Sequence, residues 1–220
     1  MKIKEIHLLT NNLPVTEQFY NHVLDIKTNR KTENELSFLI GKTRVTFIHS
    51  KESVNPNYHL AFDIPTNKLE EALAWIKEKV TILPVIADTY LSDIKLWNAR
   101  SFYFYDNNEN LLELICRYDL LNQSEAPFSG DSILHVSEIG IVTSNVQACA
   151  DDLIARYGLD YYAKQPKQDN FMALGDEGGL FILVDPNRNW FPTDKKAQPF
   201  WTKLTFFSKN EDHILHVNHA

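Results

Sequence analysis

The chain has 220 residues, 44% of them hydrophobic, with 22 Lys+Arg against 29 Asp+Glu and a formal charge of −7. That length can bury a real core in one large domain or two small ones. The negative balance argues against nucleic acid or an anionic membrane as the main partner, and no apolar stretch approaches the length that spans a bilayer.

The amino-terminal stretch MKIKEIHLLT alternates as a strand does, with Ile3, Glu5, His7 and Leu9 on one face. It lacks the apolar run of a signal peptide, so a cytoplasmic location is expected. Thr10-Asn11-Asn12 breaks the strand, Pro14 suits a first helical turn, and Phe19, Tyr20, Val23 and Leu24 follow at helical spacing. ELSFLI, a Gly41-Lys42 turn and RVTFIH then form a hairpin.

The same order recurs. Tyr58 to Ile64 is a strand, and Pro65-Thr66-Asn67 supplies a break and a helix cap, with Glu70 placed for a capping box. Leu69, Leu73, Ile76 and Val80 make the apolar stripe of the helix. After an irregular segment, Ser101 to Arg117 reads as a hairpin. Ser101, Tyr103 and Tyr105 share one face of its first strand, Asp106-Asn107-Asn108 makes the turn, and Leu111, Glu113 and Ile115 share one face of the second. A third copy runs from His135: HVSEIGIVTSN, a helix over Val146 to Tyr157 stopped by Gly158, and the hairpin FMALGDEGGLFILV. A fourth begins with WTKLTFF and has no room to finish.

Such repetition weighs more on the fold than any single residue. It predicts an α+β protein of repeated strand–helix–hairpin units. Residues 1–121 would form a pair of modules carrying the site. Residues 132–220 would form a third module and part of a fourth, with the polar run 122–131 as linker.

Glu113 is a carboxylate in the middle of an apolar strand, where it needs a cation, a donor or a metal opposite it. His7 and His59 occupy similar places in the opening strands of the first two units. If those units pair about a pseudo-twofold axis, His7, His59 and Glu113 line one cavity as ligands of one divalent ion, of a kind imidazole and carboxylate suit: Fe, Mn, Ni, Co or Zn. Tyr103, on the same face, is the candidate catalytic donor, and Arg44, Thr46 and Arg100 are candidate substrate contacts. In the third copy Gly140 matches His7, and Trp201 or Thr202 matches His59 in the fourth, so the C-terminal part is expected to be metal-free. Its aromatic loop Asn189-Trp190-Phe191-Pro192 is expected to cover the cavity or to form a homodimer interface. His22, His49 and His135 read as structural. His213, His216 and His219 are spaced for one helical face at the chain end, where no site is expected. Cys116 and Cys149 read as reduced thiols.

The repeated unit, His7, His59 and the segment YFYDNNENLLEL resemble the vicinal oxygen chelate superfamily. That superfamily includes glyoxalase I, extradiol dioxygenases, fosfomycin-resistance thiol transferases and bleomycin-resistance proteins. The resemblance implies a glyoxalase/bleomycin-resistance/dioxygenase-like fold of repeated βαβββ modules forming curved mixed sheets, and a metal that chelates two neighbouring oxygens of a small substrate, with His7, His59 and Glu113 as its ligands. Tyr103, Asp106 and Glu113 keep the spacing of extradiol enzymes. Asn107 and Glu109 stand where those have Pro and Gly, and their His before the Tyr is missing. The carboxylate that glyoxalase I adds from the first module has no counterpart among Arg44, Thr46 and Ile48. Against these departures, a dioxygenase or glyoxalase-type lyase or isomerase is still expected ahead of a thiol transferase or a sequestering protein.

Overall fold

The computed structural model describes residues 1–51 and 55–217. In chain order the elements are β1 (Lys2–Thr10), α1 (Leu13–His22), β2 (Thr28–Lys31), β3 (Glu35–Ile40), β4 (Thr43–His49), β5 (His59–Asp63), α2 (Leu69–Ile76), β6 (Ser92–Ile94), β7 (Ala99–Tyr105) and β8 (Leu111–Arg117). They continue with β9 (His135–Val142), α3 (Val146–Tyr157), β10 (Phe171–Asp176), β11 (Gly179–Val184), β12 (Thr202–Ser208) and β13 (Glu211–Val217). Local signals account for most of their limits. Asn12 caps α1 by accepting from the Val15 amide at 3.1 Å, and Asn145 caps α3 the same way from Ala148 at 2.9 Å. Gly158 ends α3 in the left-handed conformation, φ 61°. The start of α2 differs from expectation. Asn67 does not cap it, because its side chain is tied to both backbone groups of Ser124, and the helix begins at Leu69 without a side-chain cap.

The strands form two mixed sheets, in the orders β13-β12-β1-β4-β3-β2 and β10-β11-β9-β5-β8-β7-β6. Alternation sends one face of each into a single core that also takes the apolar sides of all three helices. Ile6 and Leu8 enter it from β1, Leu60 and Phe62 from β5, Phe102 and Phe104 from β7, and Ile139 and Ile141 from β9. The repeated units do not pair in chain order. β1 pairs antiparallel with β12, and β5 with β9, so the first unit joins the fourth and the second joins the third. The expected pairing of the first two units is corrected by this topology. Strand alternation is the same whichever neighbour a strand chooses, so only long-range packing decides it. His213 and His216 lie on β13, a strand held by β12, not on a helix, and His219 lies outside the described residues.

Candidate metal centre

The second sheet turns its other face to a cavity of about 320 Å³. β7 and β8 are antiparallel with Tyr103 directly opposite Glu113, and the parallel β5–β8 pair sets Ala61 beside Glu113. Across β5 lies β9, where Ala61 faces Glu138. His59, Glu113 and Glu138 therefore project side by side into the cavity, all three buried.

Their ligand atoms lie within 4.8 Å of one another. His59 Nε2 is 3.6 Å from Glu113 Oε2 and 3.9 Å from Glu138 Oε2. The other ring nitrogen, Nδ1, is 3.2 Å from the Leu111 carbonyl, which can only accept, so Nδ1 carries the proton. Burial drives the His59 pKa down to about 4, against the pull of that carbonyl, so the ring is neutral at pH 7 and Nε2 presents a lone pair. Glu113 Oε1 is buried without a hydrogen-bond partner. Burial lifts the Glu113 carboxyl to about 8, so the empty cluster disfavours charge on it, a cost that a bound cation would offset. One imidazole and two carboxylates could hold a divalent ion.

The carboxylates are held differently. Arg117, almost fully buried on β8, donates from Nη2 to Glu138 Oε1 and from Nε to Asp63 Oδ1 at 3.1 Å, and its guanidinium lies 5.5 Å from the Trp97 ring. Burial pushes the Glu138 carboxyl up, and Arg117 opposes the push. Burial, and next the Glu138 charge, push Glu113 up, against the hydroxyls of Ser101 and Tyr103. Tyr103 is itself raised well above a free phenol, by burial first and the Glu113 charge second, so it keeps its proton beside that carboxylate. The loop after β11 closes the cavity. Trp190 stacks at a tilt on His59 with centroids 5.2 Å apart, and Phe191 meets Tyr103 edge-on at 5.7 Å.

His59, Glu113 and Tyr103 are thus brought together, and His7 is not among them. It lies on β1 in the other sheet, half-buried, with Nε2 3.9 Å from Glu5 Oε2 and Lys203 beside it in register. The expected substrate contacts are elsewhere too. Arg44 pairs with Glu5 at 3.3 Å, and Thr46 lies beside His7 on the same sheet. Arg100 pairs with Glu70 at 3.0 Å and does not line the cavity. Nor is the third unit without a part in the cluster, since it supplies Glu138. The offset that lays Gly140 on His7 also lays Glu138-Ile139 on Glu5-Ile6 and Thr143 on Thr10, so a repeated Glu stood in view. Glu138 remained hidden because the strand pairing that brings it to His59 is long-range.

No protein-family profile and no curated protein matches the chain. Among solved structures it is similar to a "putative dioxygenase" of Bacillus subtilis subsp. subtilis str. 168, with TM-score 0.59 and 18% identity over 84% of this chain. The chain has the vicinal oxygen chelate fold. It spans 63% of that protein's length. Less similar are an integron cassette protein from the Halifax Harbour sewage outfall metagenome (TM-score 0.45, 18% identity, 52% of this chain and 97% of that one) and the fosfomycin resistance protein FosX of Listeria monocytogenes, complexed with Mn(II) and sulfate (TM-score 0.39, 23% identity, 51% of this chain and 86% of that one).

Proposed function

We propose that this protein is a divalent-metal enzyme acting on a small substrate in the cavity of the second sheet, with His59, Glu113 and Glu138 as the metal ligands. The observation that carries this reading is the convergence of one imidazole and two carboxyl groups, all buried, with ligand atoms within 4.8 Å of one another. A bound ion would supply a Lewis acid able to take two neighbouring oxygens of the substrate. The chain's own residues do the rest. The Leu111 carbonyl fixes the His59 tautomer, and Arg117 orients Glu138 and balances its charge. Tyr103 holds a phenolic proton beside Glu113, in place to donate to a substrate oxygen. Trp190 and Phe191 keep water from the cavity floor. Dioxygenase chemistry is the first to assay, in keeping with the name of the Bacillus subtilis neighbour, and glyoxalase-type lyase or isomerase chemistry the second. The substrate is a small molecule, and a cytoplasmic location and a homodimer belong to the same reading.

Elemental analysis of protein purified without chelator tests the ligand set. One equivalent of Fe, Mn, Ni, Co or Zn is expected in the parent and in His7→Ala, and neither His59→Ala nor Glu138→Gln should retain it. Absence of metal from the parent after reconstitution, or retention by Glu138→Gln with loss by His7→Ala, overturns the assignment.

A further inference from the structure

The cavity has a second polar feature that the metal ligands do not use. Arg188, in the loop after β11, is the only Lys or Arg among its lining residues. Its guanidinium lies 4.8 Å from the Phe171 ring centroid and donates to Asn170 Oδ1 at 3.3 Å, and among the described residues it makes no ion pair. Two positions on, the indole N–H of Trp190 is buried without an acceptor, on a side chain only 7% exposed. The loop that carries both is fixed by backbone bonds: Arg188 N to Asp185 O and Ala197 N to Arg188 O, each 2.9 Å, and Trp190 N to Lys195 O, also 2.9 Å. Arg188 thus brings to the cavity a guanidinium without a carboxylate, a donor group that an acceptor on a bound molecule would satisfy. The walls around it are flat and apolar: Trp97, Tyr103, Phe171 and Phe191. The carboxylates in the lining are Glu113 and Glu138 at the floor and the exposed Asp93, none of them paired with Arg188.

We infer that Arg188 selects an aromatic carboxylate as the substrate, its ring held by the aromatic walls and its acid group by the guanidinium. The inference rests on the reading of this cavity as the substrate site and names the substrate's class. A planar guanidinium suits a carboxylate by geometry as well as charge, and a cavity of about 320 Å³ accommodates a one-ring acid. Arg188 is a specificity residue here and takes no part in bond making.

The test uses phenylacetate and its neutral isostere phenylacetamide, titrated against tryptophan fluorescence, since Trp97 and Trp190 line the cavity. Both the protein as purified and the chelator-treated protein are titrated. The parent should bind the acid at least about tenfold more tightly than the amide. Arg188→Gln should bring that ratio close to one without moving the melting temperature, and Arg188→Lys should keep part of it. Equal affinity for acid and amide, no saturable binding of the acid, or an unchanged ratio in Arg188→Gln overturns the inference. Metal content is measured on the same samples. A preference for the acid in protein that takes up no metal would therefore sink the metal centre alone, and metal uptake without the preference would sink this inference alone.

Discussion

His59 Nε2 and Glu138 Oε2 lie 3.9 Å apart, although one residue belongs to the second repeated unit and the other to the third. The pairing of β5 with β9 puts them there. Both side chains are buried and the His59 ring is neutral at pH 7, so a cation between them would complete a ligand set that lacks its centre. Metal should therefore stabilise the folded chain. At a free concentration one hundred times the dissociation constant, an ion that binds only the folded state adds about 2.7 kcal/mol. The melting temperature should rise on adding the native metal to chelator-treated protein, and the same addition should leave Glu138→Gln unmoved. An equal rise in both would remove Glu138 from the site.

Arg117 is 1% exposed between two carboxylates, Asp63 and Glu138. Replacing it with Met leaves two buried charges without their partner, a change that costs about 3–5 kcal/mol. The triple change Arg117→Met, Asp63→Leu, Glu138→Gln should recover much of that loss, because no orphaned charge remains. Urea unfolding of the single and triple variants measures both. A single variant within about 0.5 kcal/mol of the parent would mean that water reaches this cluster.

Tyr103 faces Glu113 across the β7–β8 pair and is buried, so removing its hydroxyl leaves the packing of the ring in place. Tyr103→Phe should keep the metal content and lower kcat by about a hundredfold, the lower end of what a positioned proton donor contributes. An unchanged kcat would leave Tyr103 as a wall of the cavity only.

Much of this site could be read from residues close in sequence. Alternation through Ser101 to Arg117 put Tyr103 and Glu113 on one face, and the repeat placed His59 in the opening strand of the same unit. α3 was legible to the residue because Asn145 and Gly158 mark its ends and its apolar positions keep a helical period. What failed were choices made by distant parts of the chain. Nothing local tells β1 to take β12 as its neighbour instead of β5, and with that choice His7 left the cavity and Glu138 entered it. Arg188 was overlooked for a similar reason: a loop Arg looks like any solvated charge until the fold wraps it over Phe171. Asn67 shows the same competition on a small scale, because its side chain could cap α2 or hold Ser124 and does the second.

Gly140 stands opposite His59, and a Cβ built there would lie 3.3 Å from His59 Cβ and collide with the Trp190 ring. The glycine therefore lets the tryptophan close over the histidine. Gly140→Ala should push the indole off, cost about 1–3 kcal/mol through overpacking, and shift the tryptophan emission to the red as water enters. Emission and urea unfolding that match the parent's would show that the loop yields without strain.

Asp106 joins the turn of the β7–β8 hairpin to α1. It accepts from the Asn108 and Asn110 amides at 2.8 and 2.9 Å, from Asn110 Nδ2 at 2.7 Å and from the Tyr20 hydroxyl at 3.3 Å. Burial outweighs these four donors and lifts its pKa from 3.8 to about 6. The sign follows from proton binding. Between pH 3.8 and 6 the folded chain holds a proton at Asp106 that the unfolded chain has lost, so stability falls as pH rises through that window. A shift of this size amounts to about 3 kcal/mol, present below pH 3.8 and gone above pH 6. Asp106→Asn, which cannot ionise, should flatten that part of the stability profile, measured by urea unfolding from pH 3.5 to 7. The His59 and Glu113 cluster titrates in both proteins and cancels in the difference. A variant whose slope through the window equals the parent's would assign the titration to another group.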